Sequence, residues 1–133
     1  MTDAIVLDTD IVVDILRGRA DVLRRLAARS PDAVGVTTMT VAELRYGALV
    51  SRDSVRNMAE VDRFLAQVRV LSFGRRSAAI HAQLRQALRP NPVGPNDLVI
   101  AATTLAFGAA LATANQREFS RVPGLTVEDW REQ

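Results

Sequence analysis

The chain has 133 residues, 48% hydrophobic and 24% charged, with no cysteine, and a mean hydropathy of +0.06. This size predicts one globular domain over residues 1–133, burying roughly 65 to 70 per cent of its unfolded surface; disulfides, zinc-thiolate sites and cysteine nucleophiles are excluded, and no apolar run approaches the roughly 18 residues of a membrane span. All 17 basic residues are arginine, set against 15 acids for a net charge of +2, so the sequence pI of about 10.3 overstates the field at neutral pH. Arginine forks suit phosphate, but a lysine-free chain also follows from GC-rich coding, and the balance neither demands nor excludes a nucleic-acid partner.

Ala4 to Leu7 reads as a short buried strand stopped by Asp8. Ile11, Val12, Ile15 and Leu16 follow at helical spacing and end at Gly18. Val22, Leu23, Leu26 and Ala27 continue as a second helix, with Asp21 in its opening turn, until Ser30-Pro31 breaks it. Ala33 to Val36 is the second strand. Thr37, Thr38 and Thr40 offer caps for a helix carrying Val41, Leu44, Ala48 and Leu49. Asp53 or Ser54 opens another, with Val55, Met58, Val61, Phe64, Leu65 and Val68 on one stripe.

Val70 to Phe73 is a third strand and Arg75 to Leu88 a helix; Arg89 to Pro95, with three of the five prolines, is a loop. Asp97 to Phe107 forms the next helix with Gly108 as its stop, Ala109 to Thr113 a fourth strand, and Leu125 to Val127 a fifth. Strands separated by helices predict an α/β fold with a parallel sheet of four to five short strands, and such sheets bind ligands beyond the carboxyl ends of their strands at a topological switch point. The first twenty residues lack a basic start followed by an apolar block, so no secretory signal is expected and the cytoplasm is the default compartment.

Asp8 is the most informative position. A buried strand ending in an anion must deliver it to water, a cation or a partner group, because an unpaired buried carboxylate is costly. Further acids stand beside structural punctuation: Glu43 within an apolar stretch, Asp97 after Gly94-Pro95-Asn96, and Glu118 shortly after Leu111 to Asn115. If the fold gathers them, the natural occupant is a hard divalent cation, which takes a few carboxylates and keeps positions open for phosphate oxygens. No G-x-S-x-G elbow surrounds any serine, so the chemistry needs no covalent nucleophile.

Each acid also has an ordinary structural reading. Asp8 suits a helix cap, Glu43 a surface pair with Arg45, and Asp97 the start of a helix capped by Asn96, where the dipole favours an anion. Asn115 reads as a turn residue and Glu118 as a surface acid. Asp10 suits either a cap or the outer shell of a metal site, and Asp14 the solvated face of its helix. His81 has no second histidine to form a metal pair, so it reads as a surface or half-buried helix residue. Trp130 reads as cover for an apolar edge near the terminus.

Taken together in order and spacing, five segments resemble the PIN-domain ribonucleases, specifically VapC toxins of bacterial type II toxin-antitoxin modules. They are Ile5-Val6-Leu7-Asp8-Thr9-Asp10, Thr40-Val41-Ala42-Glu43-Leu44-Arg45-Tyr46-Gly47, Gly94-Pro95-Asn96-Asp97-Leu98-Val99-Ile100-Ala101-Ala102, Leu111-Ala112-Thr113-Ala114-Asn115-Gln116-Arg117-Glu118-Phe119 and Pro123-Gly124-Leu125-Thr126-Val127-Glu128-Asp129-Trp130. Each is weak alone. The resemblance covers nearly the whole chain and implies a PIN-like fold and a metal-dependent endoribonuclease site, in which Asp8, Glu43 and Asp97 hold Mg²⁺ or Mn²⁺ directly or through waters. Where many relatives have an acid two residues after the threonine matching Thr113, this chain has Asn115, which leaves Glu118 as an outer-shell candidate, with Thr113 contributing its hydroxyl. Asp10 departs from the Asn or Ser common in the family and adds negative charge.

The resemblance further implies hydrolysis of RNA phosphodiesters by water with a 5′-phosphate product, a substrate such as tRNA or a ribosomal RNA loop, a cognate VapB-type antitoxin, a toxin homodimer and a toxin-antitoxin hetero-oligomer. Arg17, Arg19, Arg45 and Arg117 lie near the motifs and are the RNA-contacting candidates. Two other readings stand beside it. Asp8-Thr9-Asp10 also matches the opening of a haloacid-dehalogenase-like phosphatase with Asp8 as nucleophile, although the chain lacks lysine and an acidic pair between Asp62 and Asp97. A non-catalytic PIN-like binding protein is the other.

Overall fold

The computed structural model describes residues 3–132. Five parallel strands form one sheet in the order β3-β2-β1-β4-β5: β1 (Ile5–Leu7), β2 (Val34–Thr37), β3 (Arg69–Leu71), β4 (Ala110–Ala112) and β5 (Val127–Glu128). The chain steps outward from β1 through β2 to β3, then returns to place β4 on the other side of β1. The switch point therefore falls between the carboxyl ends of β1 and β4.

The crossovers are helical: α1 (Thr9–Leu16) and α2 (Ala20–Ala27) between β1 and β2, α3 (Thr38–Leu49) and α4 (Ser54–Leu65) between β2 and β3, and α5 (Arg75–Ala87) and α6 (Pro95–Ala106) between β3 and β4. A four-residue helix, α7 (Gln116–Phe119), follows β4. Strand side chains alternate between faces. Ile5 and Leu7 join Ile11, Val12, Val22, Leu44 and Phe64 in one core, while Val6 and Leu111 join Leu84, Leu98, Ile100 and Phe119 in the other. Helices thus cover both faces, as an all-parallel sheet requires.

Helix α6 is buried on nearly every side, with Leu98, Ile100, Ala101, Ala102, Thr103 and Thr104 all inaccessible. Its two threonines are tolerated there because each hydroxyl donates to the carbonyl one turn back, Thr103 to Val99 and Thr104 to Ile100, both at 2.8 Å. Gly108 ends the run as predicted, at φ 66°, with its N–H donating to the Leu105 carbonyl at 3.1 Å.

Several expectations are corrected. Helix α6 starts at Pro95, which occupies its first turn behind Gly94, because proline is preorganised for that position; Asn96 is therefore a helical residue and not the cap. The second strand is shifted by one residue because Pro31–Ala33 forms a 3-10 turn; β3 and β5 are likewise displaced. Helix α7 was not foreseen. Asp14 is not on a solvated face: it is 7% exposed and holds Arg131 through two bonds of 2.7 and 3.0 Å. Trp130 is fully buried in the core, its indole N–H donating to Glu128 Oε1 at 3.0 Å and Arg25 stacked 5.9 Å from its ring centre. His81 is half-buried and meets the edge of Phe73 at 5.7 Å. Among the described residues no helix is long and apolar enough to cross a membrane.

Candidate active site

The ladder between β1 and β4 runs one bond past the strands, with the Asp8 N–H donating to the Ala112 carbonyl at 2.9 Å. The chain then turns directly into α1, so Asp8 is both the strand end and the helix cap, its Oδ1 accepting from the Thr9 N–H at 2.8 Å. Its Oδ2 accepts from the Thr113 hydroxyl at 2.7 Å, across the switch point. Asp8 is 6% exposed. Burial, then the charges of Asp10 and Asp97, push its carboxyl up to about 7 against the hydrogen bonds from Thr113 and Thr9 that hold it down.

Glu43 projects from α3 and makes no ion pair among the described residues, so the expected surface partnership with Arg45 is absent. Its Oε1 accepts from the Thr9 hydroxyl at 2.6 Å and its Oε2 from the Asn96 amide at 3.2 Å. Thr9 Oγ1 also lies 3.0 Å from Thr40 Oγ1, which ties α1 to the start of α3. Asp97, in the first turn of α6, is half-buried. Burial and the neighbouring charges of Glu118, Glu43 and Asp10 push it up to about 6. Glu118 reaches back from α7, and its Oε1 accepts from the Gly94 N–H at 2.6 Å.

Asp10 completes the group. Its Oδ2 accepts from the Ala114 N–H at 3.1 Å, while its Oδ1 is buried without a partner. Burial raises this carboxyl too, opposed by the Ala114 bond and the charge of Arg131. Asn115 stands exposed at the rim; its backbone N–H donates to Thr113 Oγ1 at 3.0 Å. The supporting residues that motif reading passed over are Thr9, which lies inside the Asp-Thr-Asp segment, and Asn96, read as a cap.

Of the arginine candidates, two are already engaged: Arg19 with Asp21 at 2.7 Å and Arg45 with Asp62 at 2.6 Å. Arg17, at the end of α1 along a groove that contains Glu43 and Thr9, and Arg117 on α7 carry no ion pair among the described residues.

The donor set fits a hard divalent cation. All the donors are oxygen, burial and then mutual repulsion raise Asp8 and Asp97, and one buried carboxylate oxygen has no partner. Among the described residues no group of three such side chains is poised to hold an ion by itself; magnesium is commonly bound through one or two carboxylates with several waters.

These features define a class: an α/β protein with an acidic oxygen-donor site at the switch point of a parallel sheet. The chain belongs to the PIN domain family, which matches residues 5–125. Among its relatives, the tRNA(fMet)-specific endonuclease VapC of Salmonella typhimurium is 32% identical over 126 residues, covering 93% of this chain and 96% of the relative. Ribonuclease VapC2 of Haemophilus influenzae is 35% identical over 127 residues with the same coverage of 93% and 96%. The crystal structure of DNA-bound VapBC from Salmonella typhimurium contains a chain superposing with a TM-score of 0.91 at 31% identity, over 98% of this chain and 100% of that one. The dehalogenase-like reading is displaced by this membership.

Proposed function

We propose that the chain is an endoribonuclease of the VapC type, the toxin of a toxin-antitoxin pair, acting in the cytoplasm on RNA with tRNA as the favoured substrate class. The observation that carries this reading is the gathering of Asp8, Glu43, Asp97 and Glu118 from four separate segments, with hydroxyl and amide donors on Asp8, Glu43 and Glu118 and the charges of Glu43 and Glu118 bearing on Asp97. The VapBC complex among the similar structures supports a VapB-type antitoxin as partner; a toxin homodimer inside the hetero-oligomer is part of the same proposal.

Asp8, Glu43 and Asp97 would hold Mg²⁺, or Mn²⁺ in its place, directly or through waters, with Glu118 and Asp10 adding charge behind them. Such an ion would lower the pKa of a bound water, easing its deprotonation to the attacking hydroxide, and would offset the charge that builds on the phosphate. The protein's own part is orientation. Thr113 and the Thr9 N–H fix the two oxygens of Asp8, while Thr9 Oγ1 and Asn96 fix those of Glu43. Carboxylates anchored in this way need little reorganisation when substrate arrives.

The test is cleavage of tRNA in Mg²⁺ or Mn²⁺, with and without EDTA, by wild type, Asp8→Asn and Asp97→Asn. The expected result is chelator-sensitive cleavage that falls by about a hundredfold in each variant. Equal cleavage by wild type and variants would sink the assignment. Binding without any cleavage would instead favour the non-catalytic PIN-like protein.

A further inference from the structure

Beside the acids lies a second feature that the catalytic reading does not use. Residues of α5, of α6 and of the loop between them line a groove of about 900 Å³, a volume in the range of ligand-binding clefts. Its floor includes Val93 and Leu98, and its wall carries Arg85, Arg89 and half-buried His81. Neither arginine has an ion-pair partner among the described residues, and no acid lines the groove. One end opens onto the catalytic group through Asn96, which lines the groove while its amide donates to Glu43 Oε2 at 3.2 Å.

We infer that this groove is the subsite for a single-stranded stretch of the RNA adjoining the cleaved bond, with Arg85 and Arg89 on its phosphates and the apolar floor against an unstacked base. The inference rests on the proposed ribonuclease activity. Its charge selects a polyanion, since arginines without counter-ions attract phosphate and release bound salt ions when they engage it. Its half-apolar lining selects unpaired nucleotides, whose exposed base faces can pack on such surfaces while a duplex keeps its bases stacked inside. Position selects the same substrate: Asn96 lines the groove and bonds Glu43 of the catalytic group, so a strand held at the acids can continue into the groove.

The experiment uses the Asp97→Asn protein, which holds RNA without cutting it, and a fluorescein-labelled oligouridine titrated over a range of salt concentrations. Adding Arg85→Gln and Arg89→Gln is expected to weaken binding about tenfold near physiological salt and to flatten the plot of log Kd against log salt by about 1.4, the share of two phosphate contacts on a single strand. Arg85→Lys with Arg89→Lys should retain most of the slope. The control removes two unpaired arginines elsewhere, Arg52→Gln with Arg63→Gln, and should leave the slope unchanged. Thermal melting and light scattering accompany each variant. Unchanged binding in the groove variant overturns the inference, as does an equal loss in the control. A change of molecular mass with RNA affinity intact assigns the groove to contact between copies and overturns it too. The ribonuclease reading fails separately, if the wild type cuts no RNA.

Discussion

Two regions of this molecule use carboxylates in opposite ways. Along α1, α2 and the C-terminal segment, acids have arginine partners: Asp14 with Arg131 at 2.7 Å, Glu128 with Arg29 at 2.7 Å and Arg25 at 3.5 Å, Glu132 with Arg24 at 3.1 Å. Around the carboxyl ends of β1 and β4, Asp8, Asp10, Glu43 and Glu118 accept only from hydroxyl, amide and backbone N–H donors, and Asp97 stands among their charges with no ion pair among the described residues. The contrast reaches into one helix, since Asp10 and Asp14 are a single turn apart on α1 and only Asp14 is neutralised. Acids in the first region fasten the chain's end to its start. Those in the second keep their charge unspent, at a cost to the metal-free fold.

The largest effect should follow from breaking the second region's chemistry. Asp8→Asn preserves a cap acceptor and nearly all of the packing, yet is expected to remove about 99 per cent of RNA cleavage while the far-UV circular dichroism stays native. Next comes the first region. Arg131→Ala leaves the buried Asp14 carboxylate without its cation, and urea unfolding should show a loss of about 3 kcal/mol. Replacing both partners by Asp14→Leu with Arg131→Met should recover much of that loss, because the desolvation penalty goes with the charge. If Arg131→Ala costs stability and cleavage alike, the two regions are not separable in the way their partners suggest.

The two regions also differ in the sign of their pH dependence. Asp8 is raised from 3.8 to about 7 and Asp97 to about 6 in the folded chain. A group whose folded pKa lies above its unfolded one contributes stability below the unfolded value and loses it as pH rises through the folded value. The metal-free protein should therefore become less stable between pH about 4 and about 8, and Asp8 alone accounts for roughly 2 to 4 kcal/mol. Asp8→Asn should flatten that slope, and added Mg²⁺ should raise the melting temperature most at the alkaline end. Glu128 behaves in reverse, held low by Trp130 and Arg29 in spite of its burial, so its contribution is lost on acidification.

How much of this was legible beforehand follows from the range of each interaction. A buried run closed by an acid announces itself locally, which is why Asp8 and the order of strands and helices could be read from residue spacing. Glu43 and Asp97 sit in recognisable motifs for the same reason. The pairing of Asp14 with Arg131 spans 117 positions, and nothing beside Asp14 distinguishes it from a solvated acid. Helix α7 has four residues, too few to show a 3.6-residue period. Arg45 was matched with its neighbour Glu43, whereas its partner is Asp62, 17 positions on. Neutralisation is a tertiary property; polarity at a strand end is a local one.

The smallest effect distinguishes the two residues on the far side of the site. Asn115 is exposed, its backbone rather than its side chain engages Thr113, and α7 begins behind it without a side-chain cap bond. Glu118 is anchored by the Gly94 N–H at 2.6 Å and bears directly on Asp97. Negative charge at Glu118 therefore adds to the field an ion would feel, whereas Asn115 contributes a neutral amide at the rim. Glu118→Gln keeps an acceptor for Gly94 and removes only the charge; it is expected to weaken Mn²⁺ binding about tenfold, as supporting groups around metal sites do, read by electron paramagnetic resonance of the free ion. Asn115→Ala should change it by less than about twofold, on the scale of an exposed residue remote from any buried contact. The opposite order would place the fourth group of the site on the loop after β4 instead of on α7, and the Gly94 bond would then be a tether for that loop and no part of the chemistry.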